Sequence, residues 1–77
     1  MVYVDRARIP YGRMLMSHMV ADTEEELHMM AGLIGVRRRW YQDRHYDVCE
    51  AKRQRAVSYG AAEVSSREIV RVRKAMR

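Results

Sequence analysis

At 77 residues the chain makes a single domain, 1–77, and a domain this small buries only about 60% of the surface its unfolded chain exposes, so its stability margin is narrow. An apolar content of 48% excludes disorder, the run Met14 to Ala21 falls short of the about 20 apolar residues a membrane helix needs, and the lone Cys49 excludes an internal disulfide. Charge is split: residues 1–35 carry three Arg against five acids, a net of −2, and residues 36–77 carry twelve Lys or Arg against five acids, a net of +7, together the formal +5.

A basic half attracts phosphates, on nucleic acid or on a small nucleotide, or is simply a solvated surface. No stretch has the order of basic, apolar and small residues that marks a secretory leader, so a reducing cytoplasm is the expected home. Seven methionines and no phenylalanine make the apolar content adaptable, suited to a subunit interface.

In chain order, Val2 to Val4 are β-formers and predict a short strand ending at Asp5. Arg6 to Arg13, RARIPYGR, holds the only Pro and a Tyr-Gly pair and predicts a loop. Arg8, Tyr11 and Arg13 in it are candidates to face a phosphorylated ligand, or are solvated connection.

Met14 to Ala21 alternates with period two, putting Met14, Met16, His18 and Val20 on one face and Leu15, Ser17, Met19 and Ala21 on the other. Both faces are largely apolar, which predicts a strand covered on two sides. His18 is then half-buried, as a satisfied core histidine or as a site residue. Ligand crevices in open α/β sheets lie past the carboxyl ends of strands, which makes His18 and Asp22 candidates.

Thr23-x-x-Glu26 is a capping box that opens a helix. Leu27, Met30, Ala31 and Ile34 form its core stripe, and Gly35 suits the left-handed C-cap. His28 lies at the edge of that stripe, where Glu24 can pair with it. Val36 to Tyr46, VRRRWYQDRHY, lacks periodicity and predicts a loop or irregular strand. Its Arg39, Trp40, His45 and Tyr46 offer guanidinium forks and stacking faces to a ligand, or fill the core and an interface.

Asp47-x-x-Glu50 reads as a second box, opening a helix that reaches about Tyr59 and stops at Gly60, with Tyr59 inward and Lys52, Arg53 and Arg55 on a basic side. Ala61 to Val64 predicts a third strand, and Ser65-x-x-Glu68 opens a last helix with Ile69, Val72 and Met76 buried. The sum is a small α/β sandwich of two or three layers, β-β-α-loop-α-β-α, with three strands and three helices.

The pieces VYVD, IPYGRM, SHMVADTEEELH, RRWYQ, HYDV and the KR…AV…GAAEV run together resemble the bacterial and phage family catalogued as domain of unknown function 4031. That resemblance covers the chain to about Val70. It implies a compact α/β domain and transfers no catalytic role; a phage source would place the protein in the host cytoplasm.

Three chemistries fit the residues. Arginines, aromatic rings and the polar groups Asp5, His18, Asp22, His28, His45 and Asp47, joined by Arg53, would together recognise the phosphate, base and ribose of a nucleotide. The leading expectation is therefore a homo-oligomeric protein that captures a nucleotide-like or phosphorylated ligand, in phage form a host immune signal, with no cofactor. The second is a hydrolase of phosphodiester type using His18 or His45 as base beside Asp5 or Asp22, with or without a divalent metal. No H-x-x-x-H or H-x-E pair presets metal ligands on a helix. The third is a nucleic-acid-binding module using the basic half.

Overall fold

A computed structural model describes all of residues 1–77. Five strands and three helices follow one another as β1 (Val2–Val4), β2 (Ile9–Tyr11), β3 (Met14–Ala21), α1 (Glu24–Ile34), β4 (Tyr46–Cys49), α2 (Glu50–Ser58), β5 (Ala62–Glu63) and α3 (Ser66–Ala75). The eight-residue β3 is the spine. On one edge it pairs antiparallel with both β1 and β2, through Val4↔Met19 and Ile9↔Met16. On the other it pairs antiparallel with β4, through His18↔Asp47 and Met16↔Cys49. β5 adds a parallel edge to β1.

Since β1 and β2 share one edge, the chain between them has to be accommodated against β3. Four residues, Asp5 to Arg8, oppose only Ser17 and His18. The surplus makes a bulge, with Arg8 at φ 52°, and bulges redirect side chains locally. β2 and β3 then close a hairpin through Gly12 and Arg13; Gly12 has φ 61°, the positive value a type II′ turn needs at its first central residue.

The sheet alternation sets the layers. Val4, Met19, Ala21, Tyr46 and Val48 point to α1 and α2, where they join Leu27, Ile34 and Ala56 in the main core. Tyr3 and Val20 point the other way, against Ile69 and Val72 of α3. Three layers result. Leu27 and Ile34 are wholly buried, each contributing about 1.5–3 kcal/mol by area removed from water. Thr23 accepts the Glu26 N–H at 3.2 Å and Gly35 closes α1 at φ 82°, as the box and the C-cap glycine predict. Ser65 caps α3 in the same way, accepting from the Glu68 N–H at 3.2 Å.

Three expectations are corrected. The sheet has five strands rather than three, because β2 forms inside the segment read as a loop, and β4 takes Tyr46 from the segment read as loop or irregular strand and Asp47–Cys49 from the start of the predicted helix. Asp47 caps no helix: it lies within β4, and α2 begins at Glu50 behind Cys49, whose side chain makes no capping bond. Burial of Tyr46 and Val48 on the core face decides this, since each gains more by pairing into the sheet than a first-turn carboxylate offers. Entry into β4 is made by a two-residue turn, Asp43 (φ 46°) and Arg44 (φ 65°), between the paired Gln42 and His45. Finally, α2 is rotated from its expected face: Tyr59 is exposed and Arg53 is 4% exposed.

Candidate metal centre

The centre is built from strand alternation. His18 and Asp47 are directly opposed across β3 and β4, so both side chains rise on the α3 face. His45 lies two residues before Asp47 and shares its face. One ring nitrogen each from His18 and His45 and a carboxylate oxygen of Asp47 all lie within 4.8 Å of one another. Asp47 Oδ1 is 3.1 Å from His45 Nε2 and 4.0 Å from His18 Nε2.

Each histidine has an acceptor at its other ring nitrogen. His18 Nδ1 is 2.9 Å from Asp5 Oδ2, and His45 Nδ1 is 3.1 Å from the Asp43 carbonyl oxygen. A carboxylate only accepts, so His18 Nδ1 carries the proton and donates, leaving the Nε2 lone pair toward Asp47. His45 meets an acceptor at both nitrogens, the Asp43 carbonyl at Nδ1 and Asp47 Oδ1 at Nε2, each at 3.1 Å, and donates from one of them. With its proton on Nδ1, the two Nε2 atoms and the carboxylate form a set of three electron-pair donors that a cation would join.

Asp5 is what makes the His18 half rigid. Wholly buried, its carboxylate accepts from the His18 backbone N–H at 2.8 Å, the Ala7 N–H at 3.2 Å, the His18 ring and the Ser66 hydroxyl at 3.2 Å. Burial pushes its carboxyl up, but donation by the His18 N–H, the His18 ring and the Ala7 N–H outweighs it, so the group stays below the usual Asp range. Behind it Arg53 Nε donates to the Asp5 carbonyl at 2.7 Å and its NH2 to Glu63 at 2.5 Å, while Arg6 reaches the same Glu63 oxygen at 2.9 Å. The bulge carries Asp5 beneath His18, and Arg53 fastens the bulge.

This is the donor set of a site that keeps open positions: two imidazoles and one carboxylate. Around a tetrahedral ion with bonds of about 2.0–2.1 Å, neighbouring donors lie roughly 3.4 Å apart. The His45–Asp47 pair, at 3.1 Å, is near this spacing, and the Asp47–His18 pair, at 4.0 Å, is somewhat wider. Asp5 and the Asp43 carbonyl are the outer partners that orient ligand imidazoles in metal sites.

A family model described as "Protein of unknown function (DUF4031)" matches residues 2–76. The chain belongs to that family. No curated protein and no solved structure matches it. A DUF4031 domain brings no activity with its description, so the chemistry has to be read from the side chains. No helix in it is long and apolar enough to cross a membrane.

Of the residues singled out in the DUF4031 sequence, Asp5, His18, His45 and Asp47 come together. The others do not. Asp22, beyond the end of β3, accepts from the Tyr3 hydroxyl at 3.1 Å. His28 belongs to the opposite layer, bonded to Tyr46 at 2.7 Å and Glu24 at 3.1 Å. Arg39 stacks over Trp40 at 5.2 Å on the exposed 3-10 turn Arg38–Trp40. Tyr46 is fully buried and offers no stacking face, and Arg53 is enclosed beneath Asp5. Arg8, Tyr11 and Arg13 are exposed around the hairpin. Ser66 was not foreseen: as the first residue of a predicted helix it gave no sign that it would reach a strand-end aspartate. A roomier hollow of about 500 Å³ is lined by Glu24, Glu25, His28, Met29 and Arg38; its acids suit no phosphate, and it touches none of the converging donors.

Proposed function

We propose that the protein binds one divalent transition-metal ion through His18, His45 and Asp47 and uses the remaining coordination positions to hydrolyse a phosphorylated, nucleotide-like ligand. One observation carries the reading: two histidines, each with an acceptor at Nδ1, turn their Nε2 atoms onto one carboxylate. The mixed nitrogen and oxygen donors suit Zn, Mn or Fe(II) better than Mg or Ca. Three protein ligands leave room for water, whose pKa a catalytic zinc lowers to about 7. A bound ion would supply an activated water and positive charge for the phosphoryl oxygens, with His18, His45 and Asp47 holding it and Asp5 orienting His18; the bond from phosphorus to the leaving oxygen would be exchanged for one to the water oxygen, and the leaving oxygen would take a proton from solvent.

The test is a Co(II) titration of chelator-treated protein followed by visible absorption, then release of nitrophenolate from bis(p-nitrophenyl) phosphate. One ion per chain and hydrolysis abolished by chelator are expected; the absence of cobalt absorption would reject the proposal. A second reading, capture without turnover, is favoured by the commitment of both neighbouring carboxylates: Asp5 is buried under His18 and Asp47 is a ligand, so neither is spare to protonate a leaving group. In that form the protein would be the sequestering homo-oligomer expected from sequence. Intact nucleotide recovered from denatured protein supports capture, and product supports hydrolysis.

A further inference from the structure

The side of α1 turned away from the sheet has no partner within the chain. Leu27, Met30, Ala31 and Ile34 face the core, and the opposite stripe, Glu25, Met29, Gly32 and Leu33 at i, i+4, i+7 and i+8, is exposed. Met29 is 64% exposed and Leu33 56%. Gly32 adjoins both. A glycine inside a helix is less stable than alanine, and nothing in the fold asks for this one: its backbone is ordinary helix, and a Cβ built on it meets no atom within 4 Å. An open mid-helix glycine beside two bare apolar side chains lets a second helix come close, because interaxial distance is set by the side chains at the crossing.

The two ends of that stripe differ in charge. At the first turn stand Glu24, Glu25 and Glu26, with Asp22 just before them. Glu26 pairs with the Met1 amine and Glu24 with His28, Arg38 flanks Glu24 and Glu25 in the hollow beside His28, and Arg77 bonds Asp22 and Glu24 through its backbone. The four acids outnumber these cations, and Glu25 makes no ion pair or side-chain hydrogen bond, so this end is acidic on balance. At the other end the sign is reversed. Lys52 and Arg55 reach over from α2 to Gly35, with Nζ and NH1 at 2.9 and 3.9 Å from where its Cβ would stand, and Arg37 follows in the chain. None of these three makes an ion pair. Glu50, the nearest acid of α2, turns to Arg53 at 3.8 Å in a separate hollow.

A stripe that runs from acid through apolar to base is its own complement when reversed. We infer that this face of α1 binds α1 of a second copy, antiparallel about a two-fold axis near Gly32, so that Met29 packs on the second copy's Leu33 and Glu25 meets its Arg37 and Arg55. An isologous contact of this kind makes each pair twice. Antiparallel pairing also sets each helix terminus against the opposite end of its neighbour's macrodipole, whereas a parallel pair would bring like charges together. A polyanion or an anionic membrane is repelled by the first-turn glutamates. The converging donors rise on the α3 face of the sheet, away from α1, so the dimer leaves both centres open and stands apart from the metal reading.

Sedimentation equilibrium in chelator, over a micromolar concentration series, tests it. The mass should rise from the chain's 9.1 kDa toward twice that value. Leu33→Glu should hold the mass at one chain with circular dichroism unchanged, because the side chain is exposed. Glu25→Lys in one preparation, and Arg37→Glu with Arg55→Glu in another, each set like charges against each other and should raise the dissociation constant about tenfold. Mixed one to one, these two preparations should form a heterodimer as tight as the unaltered dimer, because each end then meets its opposite. A monomer at every concentration, a dimer that survives Leu33→Glu, or no heterodimer from the mixture would each overturn the inference. A dimer in chelator from protein that shows no cobalt absorption would support it while removing the metal proposal.

Discussion

Two histidine environments on opposite sides of one sheet differ in what they leave free. His28 has both ring nitrogens occupied. Burial pushes the Tyr46 hydroxyl up, with Arg38 pulling it slightly the other way, so the phenol keeps its proton and donates to Nδ1 at 2.7 Å, and Nε2–H donates to Glu24 at 3.1 Å. The ring is closed into a chain of hydrogen bonds, packed edge-on against Tyr41 and Tyr46. His18 and His45 each have one nitrogen fixed by an acceptor and the other turned toward Asp47. Burial and a hydrogen-bonding partner are common to all three. What separates them is the group at Nε2: His28 meets a glutamate of its own helix, whereas His18 and His45 converge on the same Asp47.

That contrast is broken most decisively by deleting rings on either side. His45→Ala should abolish cobalt absorption, whereas His28→Ala should leave it intact while lowering stability. Next comes Asp5→Asn. The amide can keep accepting from the backbone N–H groups of His18 and Ala7 but offers its NH2 to His18 Nδ1, which moves the ring proton to Nε2 and removes the lone pair. Cobalt affinity should fall 10–100-fold, with nitrogen-15 NMR reporting the switched tautomer.

Stability measurements sharpen the same picture. Arg53→Met should cost about 2 kcal/mol in denaturant unfolding, because the buried Asp5 carbonyl loses its donor while the exposed Glu63 regains water. Tyr46→Phe should cost about 1 kcal/mol and leave cobalt binding unchanged. The smallest effect is in acid. Asp5 titrates below its ordinary value of 3.8, so its contribution is full above that pH and fades as pH drops through the lower folded value. Asp5→Asn should therefore flatten the acid limb of a stability–pH curve.

Much of the scaffold was legible in the sequence because two periodicities are clean. Period-two apolar residues defined β3, and Thr23, Glu26 and Gly35 bounded α1. The short strands β2 and β4 were hidden by Pro10 and Gly12 in one case, and in the other by Asp47 and Glu50, which imitate a helix cap when read locally. Long-range pairing to β3 overrode both signals. The donors were missed as a group because ligand spacing was sought at helical intervals. A strand presents ligands at i and i+2, and His45-x-Asp47 is that pattern; its third member, His18, is fixed only by the register of β3 against β4. Trp40 and Arg39, the most conspicuous pair in the sequence, instead sit exposed on the 3-10 turn.

The two surplus residues between β1 and β2 make that stretch a mechanical joint. At one end of it the Ala7 N–H helps hold the carboxylate that orients His18; at the other, Arg8 launches the hairpin. A tilt of the hairpin would therefore act through Ala7 and Asp5 on the angle of the His18 ring, through a few ångströms of backbone and without any helix having to move.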